Sequence, residues 1–149
     1  MKPHVFHTTT LLRKPIEEVF DFFSNAENLE ILTPPTLHFH IKSPLPIHME
    51  KGTHIEYTIK LHGIPLKWKT LISTWEPPFR FVDTQLEGPY KIWVHEHVFE
   101  SQGTFTRMHD TVRFLSPGWV LEPILHHAFI QKKVEEIFDY RRKQLAKLF

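Results

Sequence analysis

The chain has 149 residues, of which 41% are hydrophobic and 23% charged, a balance typical of one compact globular domain and not of a disordered or collagen-like protein. Eighteen Lys and Arg residues stand against 17 Asp and Glu residues, so the formal net charge is +1 and we expect no nucleic-acid partner. The lack of cysteine excludes disulfides, thiol catalysis and Cys-type zinc sites.

The first predicted elements are a strand and a helix. Residues His4–Leu12 include three consecutive threonines, and β-branched residues favour strands. The helix is predicted after Pro15, which suits a first helical turn, from apolar residues at the spacing i, i+3, i+4 and i+7. These residues are Ile16, Val19, Phe20 and Phe23. We expect an amphipathic helix of about ten residues.

A second, shorter helix is predicted next, with Asn25 as its N-cap and with Leu29 and Leu32 on one face. The Pro34-Pro35 pair ends this helix, because proline cannot continue it. Residues Thr36–Lys42 then predict a further strand.

The central part of the chain has breaks spaced as in an antiparallel meander. Glycines at 52, 63, 88, 103 and 118 and the Pro77-Pro78 pair separate segments rich in Ile, Val, Thr, Phe, Tyr and Trp. We therefore predict five strands, at 53–62, 66–75, 79–86, 90–101 and 104–115.

The C-terminal segment Leu121–Leu148 has no glycine and predicts a long helix. One side of it carries Val134, Ile137, Phe138, Arg141, Leu145 and Leu148. We interpret the basic residues of the last turns, Arg141 among them, as charges that suit the negative end of the helix dipole, in preference to a membrane-binding surface. The order of elements predicts an α+β fold in which this helix covers a seven-stranded antiparallel sheet, with two short helices between the first two strands.

Alternation along the strands sorts their residues into two faces. Asp110 is placed on the inner face, because the opposite face of its strand carries Arg107 and Arg113, and two unpaired arginines are costly to bury. Residues opposite each other on adjacent strands lie on the same face of the sheet, so His95 and His97 are also expected to point inward. The other residues expected to face inward are Ile55, Tyr57, Ile59, Leu61, Trp68, Thr70, Ile72, Phe79, Phe81, Asp83, Gln85, Trp93, Phe99, Met108, Val112 and Phe114.

This inner surface combines many aromatic residues with a few polar ones, the usual composition of a small-molecule site. From the sheet we expect ligand contacts by Tyr57, Trp68, Phe81, Asp83, Gln85, Trp93, His95, His97, Phe99, Met108 and Asp110, and from the helix by Val134 and Phe138.

The His95-x-His97 pair has three possible roles. It could form a structural network with neighbouring carboxylates, it could recognise a ligand or transfer protons with Asp83 or Asp110, or it could bind a metal with one of these carboxylates as third ligand. Because spacing alone is weak support for a metal site, we expect no metal and no cofactor. The sequence also lacks the motifs of kinases, serine hydrolases and dinucleotide-dependent dehydrogenases.

Several motifs between residues 75 and 117 resemble those of a known superfamily. They are Trp75-Glu76-Pro77-Pro78, Phe81-Val82-Asp83, Gln85, Gly88-Pro89-Tyr90, Trp93, His95-Glu96-His97, Phe99, Thr106 to Met108, Asp110, Val112 and Pro117. The chain resembles the helix-grip superfamily, also called SRPBCC, which includes START, polyketide cyclase and pollen-allergen proteins, and within it the bacterial ligand-binding or cell-division-inhibitor-like branch. The resemblance implies one START-like domain over residues 1–149, with a curved sheet that grips the C-terminal helix around an apolar cavity.

The expected function is binding of a hydrophobic small molecule, such as a lipid, a polyketide-like or an aromatic compound, between the sheet and the C-terminal helix. A cyclase or dehydratase that uses the inward His and Asp residues is one alternative. A ligand-free protein-interaction module is the other, if large side chains such as Phe79, Phe81, Phe99 and Phe114 close the cavity. We expect a cytoplasmic monomer or weak dimer, because residues 1–8 lack the apolar core of a signal peptide and no apolar stretch is long enough for integral membrane association.

Overall fold

The computed structural model describes residues 3–61, 63–115 and 131–149. Its strands are β1 (His4–Leu12), β2 (His40–Ile41), β3 (His54–Leu61), β4 (Ile64–Glu76), β5 (Arg80–Glu87), β6 (Ile92–Gln102) and β7 (Phe105–Leu115). Its helices are α1 (Ile16–Phe23), α2 (Asn28–Leu32) and α3 (Gln131–Leu148), with a short 3-10 helix at Pro35–Leu37. This order of elements confirms the predicted α+β fold class.

The strands form one curved antiparallel sheet in the order β1-β7-β6-β5-β4-β3-β2. The meander β3 to β7 is contiguous, and β1 pairs with β7 along its whole length, from His4 opposite Phe114 to Leu12 opposite Thr106. Helix α3 packs an apolar stripe against the sheet, with Val134 and Leu145 at most 1% exposed. The predicted arrangement of a seven-stranded sheet covered by the C-terminal helix is confirmed.

The buried apolar residues form two main clusters. The first joins the inner face of α1 to one part of the sheet and to the end of α3, through Leu12, Ile16, Val19, Phe20, Phe23, Leu32, Phe81, Phe99, Met108 and Leu145. The second joins the start of α3 to the other part, through Leu37, Ile59, Trp68, Trp93, Val112, Phe114, Val134 and Phe138. Burial of each large side chain is worth about 1.5–3 kcal/mol, so α1 and α3 both stabilise the concave face of the sheet.

Two local predictions differ from the structure. The strand expected at Thr36–Lys42 is reduced to His40–Ile41, because Pro34 and Pro35 begin a 3-10 helix and His38 then takes a left-handed conformation with φ of 47°. Asn25 lies two residues before the N-cap of α2, and its Oδ1 accepts a hydrogen bond from the backbone N–H of Glu27 over 3.0 Å.

The described part of α3 begins at Gln131, so the first ten residues of the predicted helix, 121–130, lie outside the described residues. None of the described helices has the length and apolar character required to cross a bilayer.

Candidate functional site

A cavity of about 270 Å³ lies between the sheet, the α1–α2 region and α3. Most of its wall is apolar: Phe23, Ala26, Leu29, Leu32, Leu37, Phe39, Met49, Ile55, Ile59, Leu66, Trp68, Ile72, Phe81, Pro89, Tyr90, Trp93, Ile137 and Phe138. The polar side chains of the wall are Asn25, Asn28, Thr33, Tyr57, Thr70, Asp83, His95, His97, Lys133 and Arg141. An apolar enclosure with a few polar groups is the composition expected of a small-molecule site.

Eight of the thirteen residues expected to contact a ligand line this cavity: Tyr57, Trp68, Phe81, Asp83, Trp93, His95, His97 and Phe138. The other five, Gln85, Phe99, Met108, Asp110 and Val134, are absent from its wall. Phe99, Met108 and Val134 are at most 2% exposed and are packed within the two apolar clusters. These three residues support the wall and do not form it.

Gln85 holds a loop instead of facing the cavity. Its Nε2 donates to the backbone carbonyl of Tyr90 over 2.6 Å, and its Oε1 accepts from the backbone N–H of Tyr90 over 3.3 Å. A Cβ at Gly88 would collide with Oε1 of Gln85, so only glycine fits there without displacing this side chain. The two hydrogen bonds position the Tyr90 ring, which is in the cavity wall.

Phe79 was expected to face inward and to help close the cavity, but this prediction is wrong. The residue precedes β5 in the turn after the Pro77-Pro78 pair and is 60% exposed. Alternation holds only within a strand, so it does not extend to a residue in a turn.

The sequence prediction missed the contribution of the α1–α2 region to the wall. Phe23, Ala26 and Leu32 are buried there and line the cavity. The only feature of the sequence that indicated this contribution was the apolar face formed by Leu29 and Leu32. Such a face shows that the helix packs against other residues, but it does not identify them.

Five buried or partly buried side chains form a charged cluster at the cavity: Asp83, His95, His97, Asp110 and Arg141. Nε2 of His95 donates to Oδ1 of Asp110 over 2.7 Å, and Nε2 of His97 donates to Oδ2 of Asp83 over 2.7 Å. The two imidazole rings stack with their centroids 3.7 Å apart. On its other side, the ring of His97 stacks on Phe81 at 3.9 Å. Packing and hydrogen bonding therefore fix both histidines.

Arg141 is the member of this cluster that sequence reasoning interpreted wrongly. It is 7% exposed, so it does not interact with the helix dipole from the solvent. Its Nη2 lies 3.4 Å from Oδ1 of Asp110 and 3.5 Å from Nδ1 of His97, and its guanidinium lies over the rings of Phe23 and Phe138 at 5.3 and 5.6 Å. The position of Arg141 in the apolar stripe of the helix correctly indicates that it is buried, because an arginine in such a stripe requires a buried partner.

The environment shifts the pKa values of the cluster in different directions. Burial raises the pKa of Asp83, and the positive charges of His95 and Arg141 only partly offset this effect. Burial also disfavours ionised Asp110, but the charge of Arg141 and the hydrogen bond from His95 outweigh burial and hold its pKa below the ordinary value. Burial and the charge of His95 hold the pKa of His97 well below its usual range, so His97 is neutral at pH 7.

These features give the cavity two chemical capacities. The apolar wall can bury a hydrophobic molecule, and Asp83, His95 and His97 present hydrogen-bonding groups to the same space. Asp110 lies behind them at 1% exposure and ties them to Arg141. Asp83, His95 and His97 thus line the cavity, and Asp110 behind them helps to orient them.

The fold is shared with known structures of low sequence identity. The aromatase/cyclase ZhuI from Streptomyces sp. R1128 is 15% identical with a TM-score of 0.76, over 96% of this chain and 91% of that one. A START superfamily protein from Mycobacterium smegmatis is 11% identical with a TM-score of 0.72, over 98% and 99% of the two chains. The major latex-like protein 151 from Panax ginseng is 11% identical with a TM-score of 0.61, over 95% and 99%.

No protein-family model matches the sequence, and no curated protein is similar to it. The likeness to these three proteins is therefore a likeness of structure, in the way the strands surround α3, and not of sequence. The chain has the helix-grip fold that its motifs predicted.

Proposed function

We propose that the protein binds one hydrophobic small molecule in the cavity between the sheet and α3. The observation that supports this proposal most is the cavity of about 270 Å³, whose wall is mainly aromatic and aliphatic and includes a fixed polar cluster.

The size of the cavity favours a compact ligand. Pockets for drug-sized molecules measure about 300–1,000 Å³, so 270 Å³ lies just below that range. This volume suits a small aromatic or polyketide-like compound better than a lipid with two acyl chains. The structural likeness to an aromatase/cyclase favours the same class of compound.

The charged cluster suggests where a polar group of the ligand would bind. Asp83, His95 and His97 lie in the cavity wall, whereas the rings of Trp68, Trp93 and Tyr90 lie within 6 Å of one another in an aromatic group elsewhere in that wall. We expect the ligand to place a hydrogen-bonding group at the histidines and its apolar part against this aromatic group.

A cyclase or dehydratase reaction is the second candidate, and the two His–Asp hydrogen bonds favour it. General base catalysis is most efficient when the pKa of the base lies near the working pH. The pKa of His97 is well below its usual range, which makes His97 a weak base at pH 7. For this reason we favour binding over proton transfer.

A ligand-free interaction module is the third candidate, and it requires aromatic side chains to fill the cavity. Of the four phenylalanines considered for this role, Phe79 is exposed and neither Phe99 nor Phe114 is part of the wall. Only Phe81 lines the cavity, so the space beside it is available to a ligand.

Native mass spectrometry of the freshly purified chain tests the proposal. We expect an adduct of one small molecule per chain, which denaturation releases and extraction identifies. If the protein purifies without an adduct and also fails to take up any compound from a library of aromatic and polyketide-like molecules, the proposal is wrong.

A further inference from the structure

We propose that Asp83, His95 and His97 form a binding site for one divalent first-row transition-metal ion in the cavity wall. Each residue offers one ligand atom, and these atoms all lie within 4.8 Å of one another. From the sequence we consider this His pair with Asp83 or Asp110 as third ligand and expect no metal, because the spacing alone is weak support. The fold places Asp83 of β5 beside both histidines and Asp110 of β7 next to His95, positions that the spacing cannot show.

The distances between the ligand atoms suit a common ion. Oδ2 of Asp83 lies 2.7 Å from Nε2 of His97 and 3.8 Å from Nδ1 of His95. Nitrogen and oxygen ligands lie about 2.0–2.2 Å from zinc, so two ligands of one tetrahedral ion are about 3.3–3.6 Å apart. The two observed distances lie on either side of this range, so a bound ion would draw Nδ1 of His95 towards Asp83 and move Nε2 of His97 away from it.

Asp110 lies where many metal sites have a second carboxylate, one that binds a histidine ligand and not the metal itself. A metal-bound histidine usually donates its second ring nitrogen to a carboxylate, which orients the ring. Nε2 of His95 lies 2.7 Å from Oδ1 of Asp110, and Nδ1 of His97 lies 3.4 Å from the same oxygen. His95 therefore has the outer carboxylate of a metal-bound histidine, whereas Nδ1 of His97 lies 3.5 Å from Nη2 of Arg141 and has no hydrogen bond to Asp110.

The charges of the cluster also favour a cation. Arg141 forms an ion pair with Asp110, whereas no lysine or arginine of the described residues forms one with Asp83. Asp83 is therefore the carboxylate of the cluster that has no ion pair with a lysine or arginine among the described residues. A divalent ion at Asp83 would replace this negative charge by a positive one that faces the cavity.

The donor set defines the class of metal. Two imidazoles and one carboxylate suit Zn²⁺, Fe²⁺, Co²⁺ or Mn²⁺, whereas Mg²⁺ and Ca²⁺ prefer sites made of oxygen ligands. All three ligands belong to the wall, so the remaining coordination positions would face the cavity. A bound ion could then hold an oxygen atom of the molecule in the cavity.

Titration of the EDTA-treated full chain with Zn²⁺ in a calorimeter, and with Co²⁺ in a spectrophotometer, tests the site. We expect saturation at one ion per chain and loss of this binding in Asp83→Asn. Asp110→Asn should bind about 10–100-fold more weakly, as is usual when an outer-sphere partner is removed. Near-UV circular dichroism of each variant checks that it is folded.

The surface pair His7 and His109 provides the matched control. Their rings stack 6.0 Å apart where β1 pairs with β7, and His7 is exposed, so they are the obvious place for adventitious binding. The double variant His7→Ala/His109→Ala should bind Zn²⁺ as the wild type does. If this variant loses the ion and Asp83→Asn keeps it, the proposal is wrong.

A measurement on the unmodified chain avoids dependence on variants that fail to fold. Long-range ¹⁵N–¹H spectra should show Zn²⁺ shifting Nδ1 of His95 and Nε2 of His97. Unchanged imidazole resonances at saturating Zn²⁺, or no saturable binding, would refute the metal site. Neither result affects the proposed binding of a hydrophobic molecule, because the mass of a bound organic molecule is measured separately by native mass spectrometry.

Discussion

His97 donates from Nε2 to Oδ2 of Asp83 over 2.7 Å, although the register of the sheet places Phe81, not Asp83, opposite His97 on β5. His95 likewise lies opposite Asp83 but binds Asp110, its diagonal neighbour on β7. Diagonal neighbours in a sheet remain within reach of long or aromatic side chains. The two crossed hydrogen bonds connect β5, β6 and β7, and Arg141 links them to α3.

We expect Asp110 and Arg141 to stabilise the fold only as a pair. Each of Asp110→Leu and Arg141→Met should lower the unfolding free energy by about 3–5 kcal/mol, because each leaves one buried charge without its main partner. The double variant should lose much less than the sum of the two. Urea unfolding followed by circular dichroism measures all three.

The neighbouring Arg142→Met is the control for this cycle. Arg142 is half exposed and pairs with Asp139 at the surface, so we expect its loss to change stability little. Losses in the double variant that equal the sum of the single losses would show that Asp110 and Arg141 act independently.

Gly88→Ala should weaken the wall of the cavity through Gln85. The new Cβ collides with the end of that side chain, so its two hydrogen bonds to Tyr90 break, at a cost of about 1–3 kcal/mol. The same substitution in a Gln85→Ala background should cost less, because the colliding group is gone. Thermal or urea unfolding of the four proteins measures the difference, and equal costs in both backgrounds would contradict this account.

The stability of the protein should fall in alkaline solution because of two partly buried tyrosines, Tyr57 and Tyr90. Burial raises the pKa of Tyr90 to about 12, and it also raises the pKa of Tyr57. The unfolded chain has tyrosine pKa values of about 10, so the neutral phenols favour the folded state fully below pH 10 and progressively less above it.

We therefore expect the wild type to lose stability faster than Tyr90→Phe above about pH 10, by at most about 1.4 kcal/mol per pH unit. Urea unfolding at several values between about pH 8 and 11 measures both slopes, and the difference between the proteins should be constant below about pH 9. Parallel curves up to about pH 11 would show that Tyr90 ionises as readily in the folded chain as in the unfolded one.

The sequence was sufficient for the fold because turn residues and alternation act locally. Gly52, Gly63 and Gly103 each take a positive φ at or next to a turn, which is why they separate the strands so clearly. Alternation placed Asp83, His95 and His97 on the inner face, and the structure places all three in the cavity wall. It failed at Phe79, which lies in a turn.

The pairing within the site could not be predicted, because it depends on contacts between distant segments. Arg141 reaches Asp110 only when α3 packs across the sheet, and Ala26 reaches the cavity only through the turn before α2. Neither contact leaves a periodic pattern in the sequence. The volume that remains between large side chains likewise depends on how they pack, so the sequence could not predict that the cavity is open.

Probe binding by two alanine variants tests the central claim of a ligand-binding cavity most directly. Ala26 is 3% exposed and lines the cavity, whereas Ala146 is exposed on α3. Ala26→Leu adds apolar volume to the cavity, and Ala146→Leu adds the same volume at the surface. The measurement is a fluorescence titration of a hydrophobic naphthalene sulfonate probe against both variants and the wild type, each first shown to be folded. We predict saturation at one probe per chain for the wild type and for Ala146→Leu, and binding at least about tenfold weaker, or about 1.4 kcal/mol, for Ala26→Leu. Equal affinity in all three proteins would contradict the claim, because the probe would then bind outside the cavity.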